Sequence, residues 1–135
     1  MPQLTETQRA FLEHPCVGVV TTLRADGSPH ATVVWVDVDD DGVSFNTAHG
    51  RAKPRNLARD PRVGLTVVDP ENAFRWLALS GTATLVDGGA DDQIDTLAQK
   101  YLGQSPYPFR TPDEHRVSVR ISADRIEGFG LDDAA

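Results

Sequence analysis

"VGVVTTLRADGSPHATVVWVDVDDDGVSFNT", residues 17–47, is three apolar, β-branched runs separated by two clusters of turn residues. Residues 17–23 predict a strand, because Val and Thr suit a pleated, half-buried surface. "ADGS", residues 25–28, predicts a tight turn in which Gly27 is free to take a positive φ. Residues 30–38 predict a second strand, residues 39–42 a second turn, and residues 43–47 a third strand. Strands joined by connections this short can only return antiparallel, so the segment reads as a three-stranded meander.

Working outward, Thr5 and Gln8 have the spacing of a capping box, which predicts a short helix. Leu4 is placed to staple onto Phe11 or Leu12, and Pro15 stops the helix. Beyond the meander, Pro54 fits the first position of a helix over residues 54–60, ended by Pro61. Residues 62–68 and 75–86 predict strands four and five, the latter with Gly81 marking a bulge or a close backbone approach. Ile94, Leu97, Ala98, Tyr101 and Leu102 share one helical face, closed by Gly103. Residues 105–115 hold three prolines and read as a loop, and residues 116–122 alternate as strand six. The expected fold is mainly β with flanking helices. Six antiparallel strands in one domain, residues 1–135, favour a small closed barrel, because closure removes exposed edges.

Composition excludes several classes. The chain of 135 residues has a formal net charge of −7, which argues against a general nucleic-acid binder. No apolar run is long enough to predict a membrane span, and the first residues lack the basic-then-apolar order of a signal peptide. The single cysteine, Cys16, has no internal partner, which fits a reducing cytoplasm. "DVDDDG", residues 37–42, matches half of an EF-hand loop, but the twelfth position is Ala48 where a bidentate Glu is needed. The four histidines have no metal-ligand spacing, so no metal is expected. There is no nucleophile elbow, Walker or dinucleotide fingerprint, and no self-sufficient catalytic group.

One feature stands against the acidic background. Five of the thirteen Lys and Arg residues fall within residues 51–62 with a single acid, Asp60, so this segment is +4 in a chain of net −7. With Pro54 first in its helix, Lys53 would be the cap, and Arg51, Lys53 and Arg55 would surround free backbone N–H groups. A helix start with added cations suits a phosphate or carboxylate. The alternative is a solvated basic face, the reading given to Arg59 and Arg62. Trp35, Phe74 and Trp76 would serve as a wall for a flat ring, or as barrel core or subunit interface. Trp76 is in register with Ala78 and Ser80 and opposite to Leu77 and Leu79, so it is expected to point away from its own core.

"TTLRADGSPHATVVWV", "GRAKPRNLARDPRVGLTVV" and "RWLALSGTATLV", in this order, resemble the flavin/deazaflavin oxidoreductases of the pyridoxamine 5'-phosphate oxidase-like type, in the F420-dependent branch. The resemblance runs over residues 5–126. It implies a six-stranded split β-barrel of the FMN-binding type, forming a homodimer with cofactor sites between subunits. It implies that Arg51 and Lys53 hold the cofactor phosphate, helped by Asn46, with Thr47, Ala52 and Asn56 also in the cofactor site. Pro29, His30, Thr32, Val33 and Val34 would line the ring, and Trp76 would reach it from the other subunit. The implied activity is hydride transfer from coenzyme F420 to a small conjugated acceptor such as a quinone or enone. That explains the missing catalytic groups, since the cofactor carries the chemistry. FMN as the cofactor, or a non-enzymatic flavin or F420 carrier, are the alternatives. The Arg- and His-containing motif with which the vitamin B6 oxidases hold their substrate is not visible in "SVRISADRIEGFGLDDAA".

Overall fold

Thr5 caps α1 (Glu6–Glu13) as the sequence predicts: its hydroxyl accepts from the Gln8 amide at 3.1 Å, and the Gln8 side chain accepts from the Thr5 amide at 2.9 Å. The computed structural model describes residues 2–131, so the last residues of the C-terminal tail lie outside the described part. α1 lays Phe11 and Leu12 on one end of a single sheet of seven antiparallel strands. These are β1 (Gly18–Leu23), β2 (Pro29–Val34), β3 (Val36–Asp39), β4 (Gly42–Ala48), β5 (Arg62–Asp69), β6 (Asn72–Val86) and β7 (Arg116–Phe129), in the order β2-β1-β5-β6-β7-β4-β3.

Seven strands replace the six expected, because the run over residues 30–38 breaks at Trp35. The half before the break pairs with β1 (Val33 opposite Val19), and the half after it pairs with β4 (Val36 opposite Phe45). The cause lies in α3 (Ala90–Leu102). The Val36 amide donates to the Tyr101 hydroxyl at 3.0 Å, and the Lys100 ammonium donates to the Val36 carbonyl at 2.7 Å. Side chains thus take up backbone groups that a strand ladder would otherwise use. The two edge strands of the sheet are joined by one residue, so the sheet must curl until its edges nearly meet. That is a split β-barrel, with Val20, Val36, Phe45, Leu65, Leu77 and Val119 buried inside.

Beside β6, which begins at Asn72 and not at residue 75, two further boundaries differ from expectation. β7 runs on to Phe129 instead of ending at Ser122, pairing with β6 from Val86 opposite Ser118 to Trp76 opposite Phe129. The extension was hidden because residues 123–127 do not alternate cleanly, and the ladder slips between Ser80 and Gly81. At that slip a Cβ on Gly81 would lie 2.0 Å from the Ser122 carbonyl oxygen, the close approach the sequence foretold. The second correction is that α2 (Ala52–Arg59) begins two residues before Pro54, so Arg51 and not Lys53 is the cap. Pro54 sits in the first turn, where its missing N–H has no helical acceptor to lose.

Candidate cofactor site

α2 is fixed to the barrel from beneath. Asn56 is buried and donates to the Thr22 hydroxyl on β1 at 3.0 Å, while its carbonyl accepts from Arg59 at 3.0 Å. Arg59 is exposed, as expected, and in addition donates to the Leu23 carbonyl at 2.8 Å, which ties α2 to β1. Arg62 is exposed and pairs with Asp60 at 2.7 Å. Asn56 therefore serves to seat the helix, with its side chain occupied on the β1 side.

That seating aims Lys53 and Arg51 at a cavity of about 160 Å³. β2 and the Trp35 junction form one wall with Val33, Val34 and Trp35, and β4 forms another with Asn46 and Thr47. Ile94 and Leu97 of α3 close the back, while Tyr107 and Arg116 complete the lining. The Lys53 ammonium is half-buried and donates to the Thr32 hydroxyl at 3.0 Å. Among the described residues no carboxylate pairs with it. Burial first, and the Arg51 charge second, push its pKa below the ordinary lysine value. The attraction of an incoming anion would offset both. Thr47 is buried, and its hydroxyl has no hydrogen-bond partner, an omission that a buried polar group does not normally tolerate.

Three participants were not singled out in the sequence. Arg116, at the start of β7, is buried and donates to Glu114 through Nε and Nη2 at 2.9–3.1 Å, with its plane over the Tyr107 ring at 5.0 Å. Its Nη1 reaches the Asn46 side-chain oxygen at 3.4 Å. Glu114 also accepts from Arg51 at 3.1 Å. Asn46 in turn donates to Gln93 and to the Ala90 carbonyl of α3, at 2.9 and 2.8 Å. Nothing in the proline-rich run that carries Tyr107 and Glu114 marked it as a wall, since its side chains gain meaning only when the loop folds back on α3. There the Tyr107 amide and Arg110 both donate to Asp95, at 2.8 and 2.7 Å.

Of the ring-lining set expected on β2, Val33 and Val34 reach the cavity, Thr32 reaches it through Lys53, and His30 keeps a buried, unpartnered Nδ1. Pro29 stands at the exposed start of that strand, and Ala52 is the first residue of α2. Trp35 stacks on Tyr101 with centroids 5.3 Å apart, and Tyr107 meets it edge-on at 5.9 Å. Phe74 is exposed and apart from this cluster. Trp76 is half-buried, and Leu77 and Leu79 are buried on the opposite face of β6, as the register predicts; Trp76 does not line this cavity.

Residues 4–130 match the pyridoxamine 5'-phosphate oxidase family. The chain belongs to that family. Among family relatives, an F420H(2)-dependent biliverdin reductase of Mycobacterium tuberculosis (strain CDC 1551 / Oshkosh) is 30% identical over 131 residues, covering 93% of this chain and 88% of the relative. A pyridoxine/pyridoxamine 5'-phosphate oxidase of Pseudomonas paraeruginosa (strain DSM 24068 / PA7) is 28% identical over 90% of this chain and 53% of its own length. A solved F420 reductase superposes with a TM-score of 0.77 at 27% identity, covering 94% of this chain and 98% of that one. The homology supports an oxidoreductase with a flavin-type cofactor. Among the described residues no helix is long and apolar enough to cross a membrane.

Proposed function

We propose that this chain is an F420-dependent reductase that passes a hydride to a small conjugated acceptor. The observation that carries the proposal is Lys53: half-buried, without a carboxylate partner, and facing a cavity that also holds an orphaned Thr47 hydroxyl. A phosphate would answer both, taking a charge-assisted hydrogen bond from Lys53 and a hydroxyl hydrogen bond from Thr47. The residues fit the phosphate end of a deazaflavin, and the similarity to an F420H(2)-dependent biliverdin reductase and to a solved F420 reductase supports F420 over FMN. When bound, reduced F420 supplies the hydride. The chain's own residues hold the anion at α2 and offer β2 as a wall.

The cavity of about 160 Å³ is too small for a tricyclic ring, since ligand pockets usually run from about 300 Å³ upward. Val33, one of its walls, is 65% exposed and continues onto an apolar outer face with Val19, Val68, Trp76 and Phe129. A second copy packed on that face would complete the ring site, and Trp76 would enter it from the partner subunit. Titrating F420 and FMN against the purified protein, followed by reduced-F420 oxidation with a quinone or enone, tests the reading. Tight F420 binding with turnover is expected. Micromolar FMN binding without measurable F420 binding would overturn it.

A further inference from the structure

Resting on the reading of the Lys53 cavity as a phosphate site, we infer that Glu114 sets which kind of phosphate the site prefers. Arg51, Lys53 and Arg116 bring three positive charges to the cavity, and Glu114 stands between two of them. Its Oε1 accepts from Arg51 at 3.1 Å and from Arg116 at 3.0 Å, and its Oε2 accepts twice more from Arg116. The side chain is mostly shielded from water, at 13% exposure, so its charge is felt across the cavity with little screening.

Arg116 alone satisfies both Glu114 oxygens, so the contact to Arg51 is one that Glu114 can give up. An arriving phosphate takes over that Arg51 donor, but it arrives beside a carboxylate that stays where Arg116 holds it. The repulsion it meets scales with its own charge. A phosphomonoester, with a second pKa near 6 and a charge close to −2 at neutral pH, meets about twice the repulsion of a phosphodiester at −1. Glu114 therefore lowers affinity for both and lowers it more for the monoester. F420 carries its phosphate as a diester and FMN as a monoester, so one carboxylate biases the site toward the deazaflavin without touching either ring.

The test compares FMN with its phosphate methyl ester, which shares the ring and changes only the charge. Both are titrated against wild type and Glu114→Gln at neutral pH. Because energies that double appear as affinities that square, a gain of roughly threefold for the ester should accompany a gain of roughly ninefold for FMN. Equal gains, or a loss for both, would overturn the inference. If Glu114→Gln leaves the buried Arg116 too poorly paired to fold, Glu114→Asp keeps a carboxylate beside Arg116 and withdraws it from Arg51. FMN must then still gain more than the ester. Lys53→Ala separates the two layers: if it leaves binding of both ligands unchanged, the phosphate-site reading fails. If it weakens both while Glu114→Gln shows no difference between them, only the role of Glu114 fails.

Discussion

Lys53 and Arg62 carry the same charge in the same basic segment, yet their surroundings assign them different work. Lys53 is half-buried with a neutral hydroxyl for a partner, whereas Arg62 is exposed and already paired with Asp60, whose pKa that guanidinium holds down at about 2. Lys53→Ala should weaken cofactor binding by about 1.5–3 kcal/mol, roughly ten- to a hundredfold, as for the loss of one charge-assisted contact. Arg62→Ala should change it by no more than about threefold, an effect that salt erases. Fluorescence titration of the cofactor reads both, and equal losses would reduce the segment to a diffuse positive field. Arg59, equivalent to Arg62 by sequence alone, is a poor control, because its bonds to Leu23 and Asn56 hold α2 on the barrel. The sequence announced the positive segment through its contrast with an acidic chain. It could not divide the five cations among ligand, tie and solvent, because the partners that do so, Thr32, Leu23 and Glu114, come from other elements.

At the level of elements, turns and β-branched runs were legible, and the causes of interruption were not. The β2–β3 break at Trp35 depends on Lys100 and Tyr101, which lie on a helix far along the chain. Tyr101 is the more exacting of the two: its hydroxyl accepts from the Val36 amide at 3.0 Å and donates to the Cys16 carbonyl at 2.7 Å. Burial, as the largest cause, pushes its pKa from 10.0 up to about 12. A phenol whose pKa is raised by folding contributes stability that is fully present below pH 10 and is lost as the pH climbs through about 12. Tyr101→Phe should cost about 1–3 kcal/mol at neutral pH, chiefly by leaving the Val36 amide without its acceptor. The gap between variant and wild type in urea unfolding should then narrow between pH 10 and pH 12. A gap that stays constant across that range would show that the hydroxyl is not what secures the break. The tail of β7 was missed for a different reason. Its pairing with β6 rests on Gly128, where a Cβ would approach the Trp76 carbonyl oxygen to 3.0 Å, and closeness of two backbones leaves no periodic trace in composition.

For the whole molecule, the outer face of the barrel bears most directly on function. Phe129 is 59% exposed on that face and does not line the Lys53 cavity. If the proposed dimer forms on that face, Phe129→Asp should give a monomer by light scattering at micromolar concentration and weaken cofactor binding severalfold or more, since the second copy's wall would be lost. A wild-type monomer under those conditions would remove the shared site altogether. The sequence carried this face in apolar residues on both sides of β2 and β6, among them Val33 and Ala78, but it could not say where the small cavity opens. In the structure Val33 belongs to the cavity and to the apolar face at once. In a dimer built on that face, occupancy and assembly are two readings of one equilibrium. Whatever factor the second copy adds to cofactor affinity, the cofactor must return to the association constant. Half-saturation would then slide with protein concentration, and dilution would release cofactor and partner together.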